Sequence, residues 1–198
     1  MENEPTYFEL LTKYCKDRGY DYFSTAERNR FVATPGDPMK NKKVIYFEIK
    51  GIYFVAFDTF SANMGSTNMY CGLFTDVKTS DNNLFSAIKR GFLTNFLTYR
   101  NIKTGNSYID KKLTISVEKR NGKPTVLAES DVDRFLNICD RFEGLRFGIS
   151  DERVNELYNL SKKRILGLEF NYWEVDNEKL DFFIDKGVEL LERIKTRL

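Results

Sequence analysis

The stretch KKVIYFEIKGIYFVAFDTF, residues 42–60, decides how this chain folds. It is the densest run of β-branched and aromatic residues in the sequence, and these residue types are enriched in strands. A single glycine, Gly51, interrupts the run. We therefore predict two strands, or one long bent strand, at the centre of a sheet.

The composition is that of an ordinary folded protein. The chain has 198 residues, of which 41% are hydrophobic and 30% charged, so it can bury a core and is too apolar to be disordered. Its net charge of +2 argues against a nucleic-acid-binding protein, which usually carries a strong basic field. The sequence shows neither a secretory signal nor a long apolar span, so we expect a cytoplasmic protein, with attachment to a membrane surface as a refinement.

Histidine is absent from the sequence. Its absence excludes Ser-His and Cys-His nucleophile pairs, histidine acid-base catalysis and histidine-ligated metals. The three cysteines, Cys15, Cys71 and Cys139, contain no CxxC pair, so we expect inert thiols in a reducing compartment. Cys71 lies in a polar stretch, and we expect it to be the most exposed of the three. We predict no catalytic residue, no metal site and no cofactor.

The hydrophobic pattern predicts an α+β fold, a mainly antiparallel sheet with helices packed on it. The first helix, over 5–18, has a T-x-x-E capping box at Thr6 and Glu9, and it ends at Gly19. The other predicted helices cover residues 84–100, 131–142 with Ser130 as N-cap, 151–163, and 178–198.

Strands are predicted between these helices, at residues 73–77, 113–119, 145–149 and 165–175. Asn121-Gly122 is a hairpin signal, so we expect 124–128 to return as a partner strand. Residues 61–72 are rich in Ser, Asn, Met and Gly and are predicted as a loop that runs into an edge strand. We expect one domain over residues 1–198, with a subdivision near 79–83 as the alternative.

Residues 84–100, LFSAIKRGFLTNFLTYR, are the candidate contact surface. Apolar residues recur there at steps of three and four, and every charge is basic. This composition is typical of a helix that docks on a membrane surface or a partner protein, and a core helix with a basic rim is the alternative. The predicted binding residues are Lys89, Arg90, Phe92, Phe96, Tyr99 and Arg100.

The second half of the chain contains, in order, IKTGN at 102–106, IDKKL at 109–113 and FEGLRFGI at 142–149. In this order the segments resemble a family of bacterial proteins from Bacteroidota and Mollicutes, many of them membrane-anchored, in which a phrase similar to tG-x-x-x-F-D-K-x-F-x-V precedes a strand. Ile109 and Leu113 stand where that family prefers phenylalanine. No chemistry is assigned to the family. The resemblance, over about residues 100–198, therefore implies a fold and a membrane-adjacent context, without an active site.

These observations predict a non-enzymatic binding or adaptor module whose partner is a protein or an anionic membrane surface. One alternative is a hydrolase or transferase that uses carboxylates with Tyr or Lys. Clustered carboxylates of raised pKa in a deep pocket would favour that alternative. The other alternative is a homodimer similar to secretion chaperones, which the leading helix, strand-rich middle and final helix suggest.

Overall fold

The computed structural model describes residues 4–28, 40–61, 66–91, 101–117, 124–151, 160 and 163–198. Within these ranges the chain has an α+β fold in which four α-helices accompany one antiparallel sheet of nine strands. The helices are α1 (Tyr7–Asp17), α2 (Ser107–Lys112), α3 (Glu129–Cys139) and α4 (Asn177–Lys195). A 3-10 turn covers Asp81–Asn83. The predicted fold class is confirmed.

The sheet contains strands from both halves of the chain. They are β1 (Tyr22–Arg28), β2 (Lys40–Ile49), β3 (Ile52–Ser61), β4 (Ser66–Asp76), β5 (Phe85–Lys89), β6 (Asn101–Ile102), β7 (Leu113–Val117), β8 (Arg146–Asp151) and β9 (Arg164–Phe170). Their spatial order is β1-β2-β3-β4-β9-β8-β5-β7-β6, and neighbouring strands are antiparallel. The late strands β8 and β9 therefore join the early hairpins to the β5-β7-β6 part of the sheet.

The predicted central stretch forms the β2–β3 hairpin. Its turn consists of Lys50 and Gly51, both with positive φ, at 52° and 74°. Two such residues match the two-residue hairpin turns whose twist suits the flanking strands. Ile49 pairs with Ile52 across the turn. The prediction of two strands interrupted at Gly51 is confirmed.

The principal core lies between the sheet and helices α1, α3 and α4. The apolar face of α4 is buried along its whole length, including Leu180, Phe183 and Leu191. Gly187 lets α4 approach β4 closely, because a Cβ at that position would stand 2.4 Å from Leu73 Cδ1. A second, smaller hydrophobic cluster of buried residues comprises Val44, Val55, Phe57, Tyr70, Phe74, Leu160 and Ile165.

The first and the last predicted helices are present, and each has a capping bond at its start. In α1 the Thr6 hydroxyl accepts the Glu9 N–H, the Glu9 carboxylate accepts the Thr6 N–H at 2.7 Å, and Gly19 follows with positive φ. In α4 the Asp176 carboxylate accepts the Lys179 N–H at 3.0 Å. These local bonds satisfy helix-start donors that would otherwise lack partners.

The predicted helix over 84–100 is wrong over residues 85–89, which form β5 between β7 and β8. Phe85 and Ala87 are buried while Ser86 between them is half-buried, so a period of two fits this segment as well as a helical period. Pairing of this segment with β7 and β8 then makes it a strand. Residues 92–100 lie outside the described residues.

Three smaller predictions also need correction. Residues 66–72 belong to β4, an internal strand, and are not a loop leading to an edge strand. Residues 124–128 lack regular structure and do not return as a strand. Helix α3 has Ala128, not Ser130, as its N-cap, because the Asp131 carboxylate reaches back to accept the Ala128 N–H at 2.9 Å. The helix predicted at 151–163 falls mostly outside the described residues.

Candidate functional site

The predicted contact surface is only partly described. Lys89 ends β5, and its ammonium donates to Asp140 Oδ1 at 2.6 Å. The Arg90 N–H donates to the Lys112 carbonyl at 2.8 Å, and its guanidinium donates to the Asp110 carbonyl. Both cations therefore have partners within the protein itself. The remaining predicted residues, Phe92, Phe96, Tyr99 and Arg100, lie outside the described residues, and their role stays a prediction from the sequence.

The cysteines lack nucleophilic character. Cys71 lies in β4 and is fully buried, so the expectation of an exposed thiol there is wrong. Burial raises the pKa of the Cys15 and Cys139 thiols to about 12, and it raises the pKa of Cys71 further. Because the thiolate is the reactive form, these thiols are inert near neutral pH. In the described part of the chain, no cluster of acids and cysteines could hold a metal ion.

A cleft of about 790 Å³ opens at the C-terminal end of α4. Three segments that are distant in sequence line it: residues 78–80 and 83 after β4, residues 125–128 before α3, and residues 197–198 after α4. Asn83 links the first two walls, because its side-chain oxygen accepts the Thr125 N–H at 3.3 Å. The volume falls within the range of small-molecule sites.

The first wall is held in place from the sheet. Arg164, at the start of β9, donates to the Thr79 carbonyl and to the Asp81 carboxylate. Within the wall, the Asn83 amide donates to Thr79 Oγ1 at 2.9 Å. The boundary that the sequence indicates near 79–83 is therefore an ordered segment, in which Thr79, Asp81 and Asn83 have fixed partners.

A buried carboxylate holds the third wall against α3. The Asp131 side chain is 1% exposed, and its Oδ2 accepts a hydrogen bond from Arg197. No described residue donates a hydrogen bond to Asp131 Oδ1, and the Arg193 guanidinium stands 3.7 Å from it. A carboxylate buried to this extent needs cationic partners, so Arg197 is a structural residue as well as a lining residue of the cleft.

The lining of the cleft is rich in hydrogen-bond donors. It contains the cations Lys78 and Arg197 and no Asp or Glu side chain. Within the described parts of the chain, the Lys78 ammonium and the Ser80 hydroxyl make no hydrogen bond or ion pair. The backbone N–H groups of Lys78, Ser80 and Val126 likewise donate to no described residue. Such groups are suited to an acceptor-bearing ligand or to water.

Several described carboxylates take part in ion pairs or capping bonds. Five carboxylates have a pKa clearly different from the ordinary value, and in each case it is lower: Glu9, Asp76, Asp110, Asp133 and Asp181. The pKa of Asp181 is lowered by its hydrogen bond from Arg18, and that of Asp133 by its hydrogen bond from Lys112. A general acid at neutral pH needs the opposite shift, so these five groups fit structural roles.

A second depression, beside Phe74, Gly148 and Gly167, has a volume of only about 10 Å³. That space accommodates about one water molecule, so it is no alternative ligand site.

The sequence singled out none of the cleft residues as a site. It marked 79–83 as a break and placed Asp131 at a helix start, but no local signal connects these segments with Arg197. No helix in the described part of the chain combines the length and the hydropathy that a membrane crossing requires. No protein-family model, curated protein or solved structure matches the chain.

Proposed function

We propose that this chain is a non-enzymatic binding module and that its ligand site is the cleft at the C-terminal end of α4. One observation carries the proposal. A cleft of about 790 Å³ collects donors from three separate segments, and no Asp or Glu side chain lines it. A concave site with a few convergent polar groups is the usual form of a ligand pocket.

The walls of the cleft are held in fixed positions, which supports the proposal. Arg164 holds the first wall, Asn83 joins it to the second, and the pairing of Asp131 with Arg197 holds the third. A site whose walls are fixed before binding loses little conformational entropy when a ligand enters. This arrangement therefore favours a binding role over an incidental gap between loops.

The hydrolase or transferase alternative receives less support. Carboxylate catalysis requires a group whose pKa is raised into the working range, together with a partner of different pKa. The described carboxylates with a shifted pKa, Asp181 and Asp133 among them, have a lowered pKa. The cleft itself is lined by hydroxyls, an amide and cations. We therefore assign binding, without turnover, to the cleft.

The test is a fragment screen with two matched variants. Ser80→Trp places a large side chain at an exposed cleft position whose hydroxyl makes no capping bond. Lys13→Trp adds the same side chain on the exposed surface of α1, next to Tyr14, which bonds to the opposite end of α4. Circular dichroism and thermal melting establish that both variants keep the fold.

Ligand-observed fluorine NMR with a library of acidic, neutral and basic fluorinated fragments then measures binding. We expect hits on the wild type that Ser80→Trp weakens about tenfold or more and Lys13→Trp leaves unchanged. A tenfold loss corresponds to about 1.4 kcal/mol of binding free energy. A library without hits, or hits that Ser80→Trp does not affect, contradicts the proposed site.

A further inference from the structure

The cleft carries positive charge on two of its walls. Lys78 stands after β4 and Arg197 after α4, and both line the cleft. Two acids that adjoin these walls are paired with arginines: Asp131 with Arg197, and Asp81 with Arg164. No Asp or Glu side chain lines the cleft beside these two cations.

Arg197 keeps donors available although it bonds to the protein. Its Nε donates to the Arg193 carbonyl at 3.2 Å, and one terminal nitrogen donates to Asp131. Its other terminal nitrogen makes no hydrogen bond to any described residue. The two bonds fix the plane of the guanidinium, so the remaining donors are oriented before a ligand arrives.

The donors approach from different directions. An ammonium, a guanidinium, a hydroxyl and backbone N–H groups belong to three segments around one space. A carboxylate presents its acceptor sites in one plane, whereas a phosphate group presents three terminal oxygens in a tetrahedral arrangement and carries up to two charges. Arginine, lysine and free backbone N–H groups are the donors that proteins use for phosphate.

We propose that the ligand of the cleft carries a phosphate monoester group, which Lys78 and Arg197 bind together with the Ser80 hydroxyl and nearby backbone N–H groups. This inference rests on the proposed function, because it names the ligand class of the same cleft. The half-buried Val126 and Leu127 complete the lining and supply an apolar surface for the organic part of the ligand. A soluble phosphoester and a phosphomonoester lipid headgroup share this chemistry.

The experiment compares Lys78→Glu with Lys13→Glu. Each variant changes one exposed lysine and lowers the net charge from +2 by the same two units, but only Lys78 lines the cleft. Isothermal titration calorimetry with inorganic phosphate measures binding of a soluble phosphate. Co-sedimentation with phosphatidylcholine vesicles, with and without phosphatidic acid, measures binding to a phosphomonoester lipid headgroup.

We expect Lys78→Glu to weaken phosphate binding about tenfold or more, and Lys13→Glu to change it less than about twofold, because an exposed charge beyond a Debye length is screened. Binding of inorganic phosphate with no preference for phosphatidic acid identifies a soluble ligand. Retention on phosphatidic acid vesicles that Lys78→Glu abolishes identifies a headgroup. Either result supports the phosphate assignment.

The assignment is overturned if neither probe binds, or if the two variants weaken binding equally. The fragment screen separates this failure from that of the proposed function. Fragments that Ser80→Trp displaces, without any phosphate binding, leave the cleft as a ligand site and remove only its phosphate chemistry. Failure of both experiments removes both proposals.

Discussion

The two ends of α4 each carry an aspartate–arginine pair, and the two pairs differ in burial. At the N-terminal end, Asp181 accepts hydrogen bonds from Tyr14 at 2.8 Å and from Arg18 Nε at 2.9 Å. The Arg18 and Asp181 side chains are 39% and 42% exposed. At the C-terminal end, Arg197 pairs with Asp131, whose side chain is 1% exposed.

The difference in burial distinguishes a contact between two helices from the proposed binding site. At the N-terminal end, Arg18 and Tyr14 join α1 to α4, and the exposed ion pair is screened by water. At the C-terminal end, a buried carboxylate holds Arg197 in place, and spare donors remain on the cleft wall. Both pairs therefore stabilise the fold, and the C-terminal pair also orients donors at the proposed ligand site.

The largest expected effect is that of Arg197→Ala, which removes the main partner of the buried Asp131. Loss of one member of a fully buried pair typically costs 3–5 kcal/mol, and we expect about 2 kcal/mol here because the Arg193 guanidinium stays nearby. Urea denaturation followed by circular dichroism measures the change. Arg18→Ala, at the other end of α4, serves as the control and should destabilise the protein less. Equal losses from the two variants would contradict the comparison.

Tyr14→Phe should have an intermediate effect at the N-terminal end. The substitution removes the hydroxyl that donates to Asp181 at 2.8 Å and keeps the buried ring. A hydrogen bond to a charged group contributes about 1.5 kcal/mol, and the exposure of Asp181 reduces this to about 1 kcal/mol. The urea midpoint measures the change, and phosphate binding at the far end of α4 should stay as in the wild type. A parallel loss of phosphate binding would show that the two ends are not independent.

The N-terminal pair should also make stability depend on pH. Hydrogen bonds from Arg18 and Tyr14 lower the pKa of Asp181 below its ordinary value of 3.8. The pair therefore contributes fully above the unfolded-state pKa, and its contribution is lost as the pH falls through the lower folded-state value. The stability difference between wild type and Asp181→Asn should be constant above about pH 5 and shrink below about pH 4. Urea titrations across this range measure it, and a difference that shrinks on raising the pH would refute the assignment.

The smallest effect on stability should come from Lys78→Glu. Lys78 is exposed and makes no ion pair within the described ranges, so its replacement should change the free energy of unfolding by less than about 0.5 kcal/mol. The same substitution should weaken phosphate binding about tenfold. Thermal melting beside calorimetry measures both quantities. A variant that loses stability and affinity together would mean that Lys78 supports the fold rather than the ligand.

The parts of the fold that depend on local sequence could be predicted. The β2–β3 hairpin follows from its β-branched and aromatic run with one glycine, and α1 follows from the capping box of Thr6 and Glu9. The strand β5 could not be predicted, since Phe85 and Ala87 fit an alternating pattern while Phe85 and Ile88 fit a helical one. Its pairing with β7 and β8 is a tertiary effect.

The cleft could not be predicted for the same reason. Arg197 and Asp131 are separated by 66 residues, and Asn83 and Thr125 by 42. No periodicity or motif records such pairings, because they arise only when α3, α4 and the sheet pack together. The predicted surface at Lys89 and Arg90 used local composition alone, whereas the candidate site depends on contacts between distant segments.

The central claim is that the C-terminal end of α4, and not its N-terminal end, receives a ligand. Amide chemical-shift mapping of the ¹⁵N-labelled protein during titration with inorganic phosphate tests it most directly. We predict saturable shifts at residues 78–83, 125–128 and 196–198, with residues 7–18 and 177–185 unchanged. Shifts concentrated at the N-terminal end of α4, shifts spread evenly over the surface, or no shifts at all would contradict the account.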